Sequence, residues 1–121
     1  MRDFIKKAAT EIGFDACGIA RAESLDEDAA FLRQWLSEGQ NASMHYLERN
    51  FEKRTDPTIL VPGSKSVVVV LLNYYNINLQ PADAPRIARY AYSETDYHTV
   101  IREMLGQLEQ RIVETYGSVV V

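Results

Sequence analysis

The sequence predicts an α/β fold, a layered sheet with a buried central strand and flanking helices. Three observations carry this expectation. The run "SVVVVLL", residues 66–72, is apolar without interruption, as in a strand covered on both faces. Segments with helical spacing stand near both ends of the chain. Between them the order reads helix, strand, helix, strand, strand, helix, strand, which suits a layered sheet of one domain, 1–121.

Each element has its own reason. "DFIKKAATEIG" places Phe4, Ile5, Ala8, Ala9 and Ile12 on one helical face, and Gly13 suits the C-terminal cap. "FDACGIARA" alternates loosely and reads as a strand. Ser24 followed by Glu27 reads as a capping box for a helix carrying Ala29, Leu32, Trp35 and Leu36 and ending at Gly39. A short helix is expected around Met44 to Glu48, then a loop, then a turn of helix in "TILVPG" broken by Pro62 and Gly63. After the apolar strand, "NINLQPADAP" reads as loop and "RIARYAYS" as a strand. Asp96 then caps a long helix bearing Val100, Ile101, Leu105, Leu108, Ile112 and Val113. "GSVVV" reads as the start of a further strand, so the chain is expected to be a fragment whose open sheet edge invites self-association.

Composition narrows the function classes. At 46% hydrophobic and 25% charged residues, the 121-residue chain has the make-up of a soluble globular domain. Its longest apolar run is too short to span a bilayer, and its start lacks the apolar core of a signal peptide, so no membrane partner is expected. A formal net charge of -4 leaves no basic surface advertising nucleic acid. The single cysteine, Cys17, excludes an internal disulfide and a four-thiolate iron–sulfur cluster held by this chain alone. His45 and His98 lack the spacing of zinc ligands. Lys65 follows no phosphate-loop glycine pattern. Cys17 reads as a small buried apolar residue, and Trp35 and Met44 as core positions.

Four stretches, "IGFDACGIARAESL", "LRQWLSEGQNASMHYLERN", "EKRTDPTILVPGSKSVVVVLLNYY" and "RIARYAYSETDYHTVIREML", in this order and spacing, resemble the amino-terminal domain of the epoxyqueuosine reductase family. The pairing of "KRTDP…LVPG.KSV" with a later "RYA…DYH" gives the resemblance its specificity. It implies a cytoplasmic bacterial oxidoreductase dependent on cobalamin and two [4Fe–4S] clusters. The reaction implied is reduction of epoxyqueuosine to queuosine in tRNA, the last step of queuosine biosynthesis. The amino-terminal part would help to hold cobalamin. The cluster domain, the catalytic acid and the main tRNA-binding repeats would follow later, so this fragment alone is expected to be inactive, with tRNA bound through the full-length protein. The sequence reads "YSETDYH" where many members carry a glycine two residues before "DYH", which implies a turn longer by one residue.

The resemblance points to Arg54, Arg89, Tyr90, Tyr97 and His98 as cofactor-binding residues. Each also has a plain structural reading. The Arg54 guanidinium suits amide or phosphate groups at a corrin edge, or a surface pair with Asp56 or Glu52. Arg89 and Tyr90 suit a cofactor face, or a strand end in the core. Tyr97 and His98 project from the first turn behind the Asp96 cap; His98 suits a hydrogen-bond or proton-relay role, or simple packing at a helix end. The alternative function is a non-catalytic binding or assembly module with no cofactor affinity of its own. Continuation of the gene into a "CxxCxxCxxxCP" run separates the two.

Overall fold

The structure is a computed structural model and describes residues 1–75, 80–81 and 83–117. Seven regular elements appear among them: α1 (Arg2–Ile12), β1 (Ala16–Arg21), α2 (Asp26–Ser37), α3 (Phe51–Thr55), α4 (Pro57–Leu60), β2 (Ser66–Leu71) and α5 (Tyr97–Tyr116). Two single turns of 3-10 helix, His45–Leu47 and Arg89–Tyr92, lie between them. The strand expectation for "GSVVV" falls largely on residues 118–121, outside the described residues.

β1 and β2 pair in a two-stranded sheet. The Asp15 N–H donates to the Leu71 carbonyl at 2.9 Å and the Ala22 N–H to the Lys65 carbonyl at 3.1 Å. Partner numbers fall along one strand as they rise along the other, so the pair is antiparallel. The apolar run therefore forms the expected strand but not a buried central one: Val69 is 51% and Leu71 60% exposed. Within the described residues one neighbouring strand covers one edge, and nothing covers both faces.

The chain divides into two compact units. The first joins Met1–Gly18 to the segment that begins at Val69. Its core is Ala8, Ala9, Phe14 and Leu108, with Phe4, Ile12, Cys17, Val70, Leu72, Met104 and Ile112 packed around them. α1 meets α5 across small residues: Ala8 and Ala9 let the α5 backbone approach, and Leu108 fills the space between. Gly13 closes α1 in the left-handed region at φ 114°, where its N–H reaches the Ala9 and Thr10 carbonyls, as its cap role predicts. Arg111 adds a 2.9 Å bond to Glu11 at the rim of the same interface.

The second unit spans Ile19–Val68. The Leu25 N–H donates to the Thr55 carbonyl at 2.8 Å, and the Arg33 guanidinium lies 4.8 Å from the Phe51 ring centre, so α2 and α3 are tied twice. The cap of α2 departs from the expected capping box. Leu25 occupies the N-cap position with no side-chain bond, while the Ser24 hydroxyl donates to Asp26 instead. Residues 51–55 form α3 where a loop was expected, started by Asn50 in the left-handed region at φ 56°. The short helix near Met44 is present as the 3-10 turn His45–Leu47. Asp56 caps α4, taking the Thr58 N–H at 2.8 Å and its hydroxyl at 2.6 Å, with Pro57 at the first helical position. Met44, expected in the core, is 41% exposed, and Trp35 is half-buried.

Candidate functional site

The first unit contains a cleft of about 770 Å³ lined by residues from two segments, Leu72–Tyr75 and Tyr90–Ile101. Its walls combine apolar Leu72, Val100 and Ile101 with Tyr74, Tyr75, Tyr90 and Tyr97. This mix of aromatic faces and a few polar tips is what small-molecule and cofactor sites require.

A chain of hydrogen bonds shapes the first wall. The Asp15 carboxylate accepts the Asn73 N–H at 2.6 Å, and the Asn73 side-chain oxygen accepts the Tyr75 N–H at 2.9 Å. The backbone thus turns just beyond β2 and presents two adjacent tyrosines. Tyr74, Tyr90 and Tyr97 then run edge to face, with ring centres 6.5 Å and 5.8 Å apart. Edge-to-face packing matches the positive edge of one ring to the negative face of the next.

Arg89 stands beside this row. Its guanidinium lies 4.7 Å from the Tyr75 ring centre. Its Nη1 is buried and has no hydrogen-bond partner among the described residues. A buried N–H of a charged group without an acceptor is unusual, because losing hydration without replacement is costly. The expected strand over "RIARYAYS" is replaced by the 3-10 turn Arg89–Tyr92, which puts Arg89 and Tyr90 on neighbouring faces of one turn.

The start of α5 supplies the other wall. Asp96 is its N-cap, as the sequence predicts: one carboxylate oxygen accepts the His98 N–H at 2.8 Å. The same oxygen lies 2.8 Å from His98 Nδ1. A carboxylate only accepts, so Nδ1 carries the proton in this pair and Nε2 is left for another partner. The backbone N–H of His98, and then its side chain, hold the Asp96 carboxyl below the usual carboxylate range. The Tyr97 ring stacks on the His98 imidazole at 4.0 Å. Tyr97 lines the cleft, and His98 stands behind it with a largely exposed side chain.

Arg54 belongs to the second unit. Its Nε donates to the Arg49 carbonyl and its Nη2 to the Tyr46 carbonyl, each at 3.2 Å, rather than to Asp56 or Glu52. In the same unit the Asn41 amide and then His45 pull the Glu48 carboxyl below its usual range. Of the five residues singled out from the sequence, Arg89, Tyr90, Tyr97 and His98 form one cluster. Tyr74, Tyr75 and Asn73 were missed. Their signal was two tyrosines directly after an apolar strand, where a chain leaving a sheet edge often lines a crevice. Among the described residues no group of three or more His, Cys, Asp or Glu is placed to hold a metal ion, and no helix is long and apolar enough to cross a membrane.

Comparison with known proteins gives the class first. The chain superposes on a structure of epoxyqueuosine reductase from Streptococcus thermophilus with a TM-score of 0.78 at 24% identity, covering 95% of this chain and 32% of that one. It thus has the fold of the corresponding part of that reductase. A crystal structure of epoxyqueuosine reductase with a tRNA-Tyr epoxyqueuosine-modified tRNA stem loop matches with a TM-score of 0.74 at 30% identity, again over 95% of this chain and 32% of that one. The epoxyqueuosine reductase of Leadbetterella byssophila is 45% identical over 122 residues, covering 98% of this chain and 40% of the relative. The family model for epoxyqueuosine reductase QueG, DUF1730, matches residues 54–121. The chain belongs to this family, and it spans about 40% of the length of the curated relatives it matches.

Proposed function

We propose that this chain is the amino-terminal part of an epoxyqueuosine reductase, a cytoplasmic oxidoreductase that reduces epoxyqueuosine to queuosine in tRNA. In this reading the unit built on α1 and α5 helps to hold cobalamin. The observation that carries it is the aromatic cleft with the unpartnered Arg89 Nη1 at its side, in a chain that belongs to the family.

The residues fit such a group in chemical type. Cobalamin presents an apolar ring face rimmed by amide side chains. Tyr90 and Tyr97 line the cleft and offer ring edges and faces to the macrocycle, and Arg89, stacked on the lining residue Tyr75, would have to turn its buried guanidinium outward to give a charged N–H to an amide carbonyl on its rim. When bound, cobalamin supplies the low-potential cobalt centre for the reductive step. The chain's own share is to bind, to orient and to exclude water. His98, with its proton on Nδ1, keeps Nε2 for a polar group near the same face. A role for Arg54 in cofactor binding rests on the resemblance; two of its guanidinium nitrogens already brace the loop around Tyr46. Two [4Fe–4S] clusters belong to the rest of the parent protein in this proposal, since one cysteine cannot supply four thiolates. Contact with tRNA is likewise assigned to the full-length protein; the relative solved with the tRNA-Tyr stem loop supports that assignment.

The test is titration of the full-length protein with cobalamin by absorbance, with iron assayed in parallel. Loss of a charge-assisted hydrogen bond in Arg89→Ala should weaken binding roughly tenfold to a hundredfold with iron content unchanged. Wild-type protein that takes up no cobalamin overturns the reading. Equal affinity in Arg89→Ala removes Arg89 from the site.

A further inference from the structure

Arg89 and Tyr90 sit on a single 3-10 turn. Among the described residues the bond from the Ala91 N–H to the Ala88 carbonyl, 3.0 Å, closes it, no side chain caps it, and the rings of Tyr75, Tyr74 and Tyr97 rest against Arg89 and Tyr90. One turn of 3-10 helix is too short to be stable alone, because it fixes several dihedrals for one bond. Its geometry must be imposed from outside.

Gln80 is placed to impose it. Its Oε1 accepts the Tyr92 hydroxyl at 2.5 Å and the Ile87 N–H at 3.2 Å, which uses both lone pairs. Its Nε2 donates to the Pro85 carbonyl at 2.6 Å. One side chain therefore grips the backbone just before the turn and a side chain at its end. The amide orientation is fixed by its surroundings: turned over, it would set its oxygen against the Pro85 carbonyl and its NH2 against the Ile87 N–H. A glutamate of the same shape would keep the two acceptor contacts but lose the donor and oppose the Pro85 carbonyl.

We propose that Gln80 is a positioning residue for the cleft-lining Tyr90 and its neighbour Arg89, acting by clamping the segment from Pro85 to Tyr92. The inference rests on the cofactor reading above for its ligand, but not for its geometry. A side chain that makes three polar bonds to fix one short segment contributes through that segment, so its effect on binding must pass through Arg89 and Tyr90.

The experiment uses the full-length protein and the variants Gln80→Ala, Gln80→Glu, Arg89→Ala and the double variant Gln80→Ala with Arg89→Ala. Two readouts are taken: amide hydrogen exchange at Ile87 and Ala91 without ligand, and the Kd for hydroxocobalamin by absorbance. In Gln80→Ala these amides should exchange faster than in wild type; in Gln80→Glu, which keeps the acceptor for the Ile87 N–H but opposes the Pro85 carbonyl, they should exchange faster by a smaller factor. Affinity should fall about tenfold, since one hydrogen bond is typically worth about fivefold in an equilibrium constant and three are affected only partly. In the Arg89→Ala background the further loss from Gln80→Ala should shrink to about twofold, whereas a general loss of stability would leave it undiminished. Unchanged exchange in both Gln80 variants overturns the clamp. Full additivity with Arg89→Ala overturns the positioning role. Wild-type protein that binds no cobalamin overturns the cofactor reading, while the exchange measurement still decides the clamp.

Discussion

Leu108→Ala should be among the most damaging single changes in the first unit, and its cost can be worked from its surroundings. Leu108 is 3% exposed and packs against Ala8, Ala9 and Phe14. Truncation removes three carbons, each worth ~0.8 kcal/mol of burial, or roughly 2.4 kcal/mol together. The cavity adds to this unless neighbours fill it. Ala8 and Ala9 have no atoms to move inward, while the flexible Met104 can fill part of the space. The expected loss is therefore about 3 kcal/mol, against a total stability on the order of 5–15 kcal/mol for a domain. In urea denaturation of the 121-residue chain, followed by circular dichroism, this lowers the midpoint by roughly 1–3 M. Leu105 is the control: it lies on the same helix, three residues away, and is 41% exposed. Leu105→Ala should cost less than ~1 kcal/mol, because little apolar area leaves water there and alanine favours the helix. If Leu105→Ala proves as costly as Leu108→Ala, the packing of α1 on α5 described above is wrong.

Three further outcomes follow from other parts of the chain. Val69→Asp should lower the stability of the 121-residue chain by only about 1 kcal/mol in thermal melts, because half of Val69 already meets water; a collapse of the fold would restore the buried-strand reading. Asp96→Asn keeps an N-cap but loses the charge, and the folded-state pKa of Asp96 is lowered, so wild type should hold its melting-temperature advantage above about pH 4 and lose it as pH falls through the lower folded value; a gap that does not narrow as the pH is lowered contradicts the pairing with His98. Arg54→Ala should speed amide exchange at Leu47 and Arg49 while leaving α5 protected, since it frees the carbonyls of Tyr46 and Arg49; equal protection in the variant removes Arg54 from the loop brace.

Elements with a local cause were legible in the sequence. α1 with its Gly13 cap and Asp96 at the head of α5 each follow from a residue acting on its immediate neighbours. What was misread depends on contacts across the chain. The alternation in "RIARYAYS" satisfies a strand pattern, yet a glutamine six residues upstream of Arg86 ties the segment into a 3-10 turn. The valine run has the composition of a central strand, but burial is a property of what covers a strand, and only β1 borders it within the described residues. The cleft divides the same way. Tyr90 and Tyr97 were singled out through the resemblance, on either side of a legible cap, whereas Tyr74 and Tyr75 enter through the Asp15–Asn73 bond, which spans 58 positions.

The unpartnered nitrogen of Arg89 bears on why such a cleft persists. Leaving a buried donor unsatisfied costs about 1–3 kcal/mol, and more when the group is charged. The face of Tyr75 offsets part of this, since a guanidinium over an aromatic ring gains roughly 0.5–2 kcal/mol, but the ring supplies no lone pair for Nη1. Replacing Arg89 with leucine should then leave the apo protein as stable as wild type or more so, because a costly burial is removed along with the stacking. The same change should weaken a ligand whose carbonyl oxygen draws on Nη1, because that ligand loses a charged donor beside the cleft. Stability and affinity thus move in opposite directions at this position if Arg89 is kept for binding, and together if it is kept for packing. Thermal melting of Arg89→Leu without ligand, beside its cobalamin titration, separates the two: a melting temperature well below wild type with unchanged affinity assigns Arg89 to the fold alone.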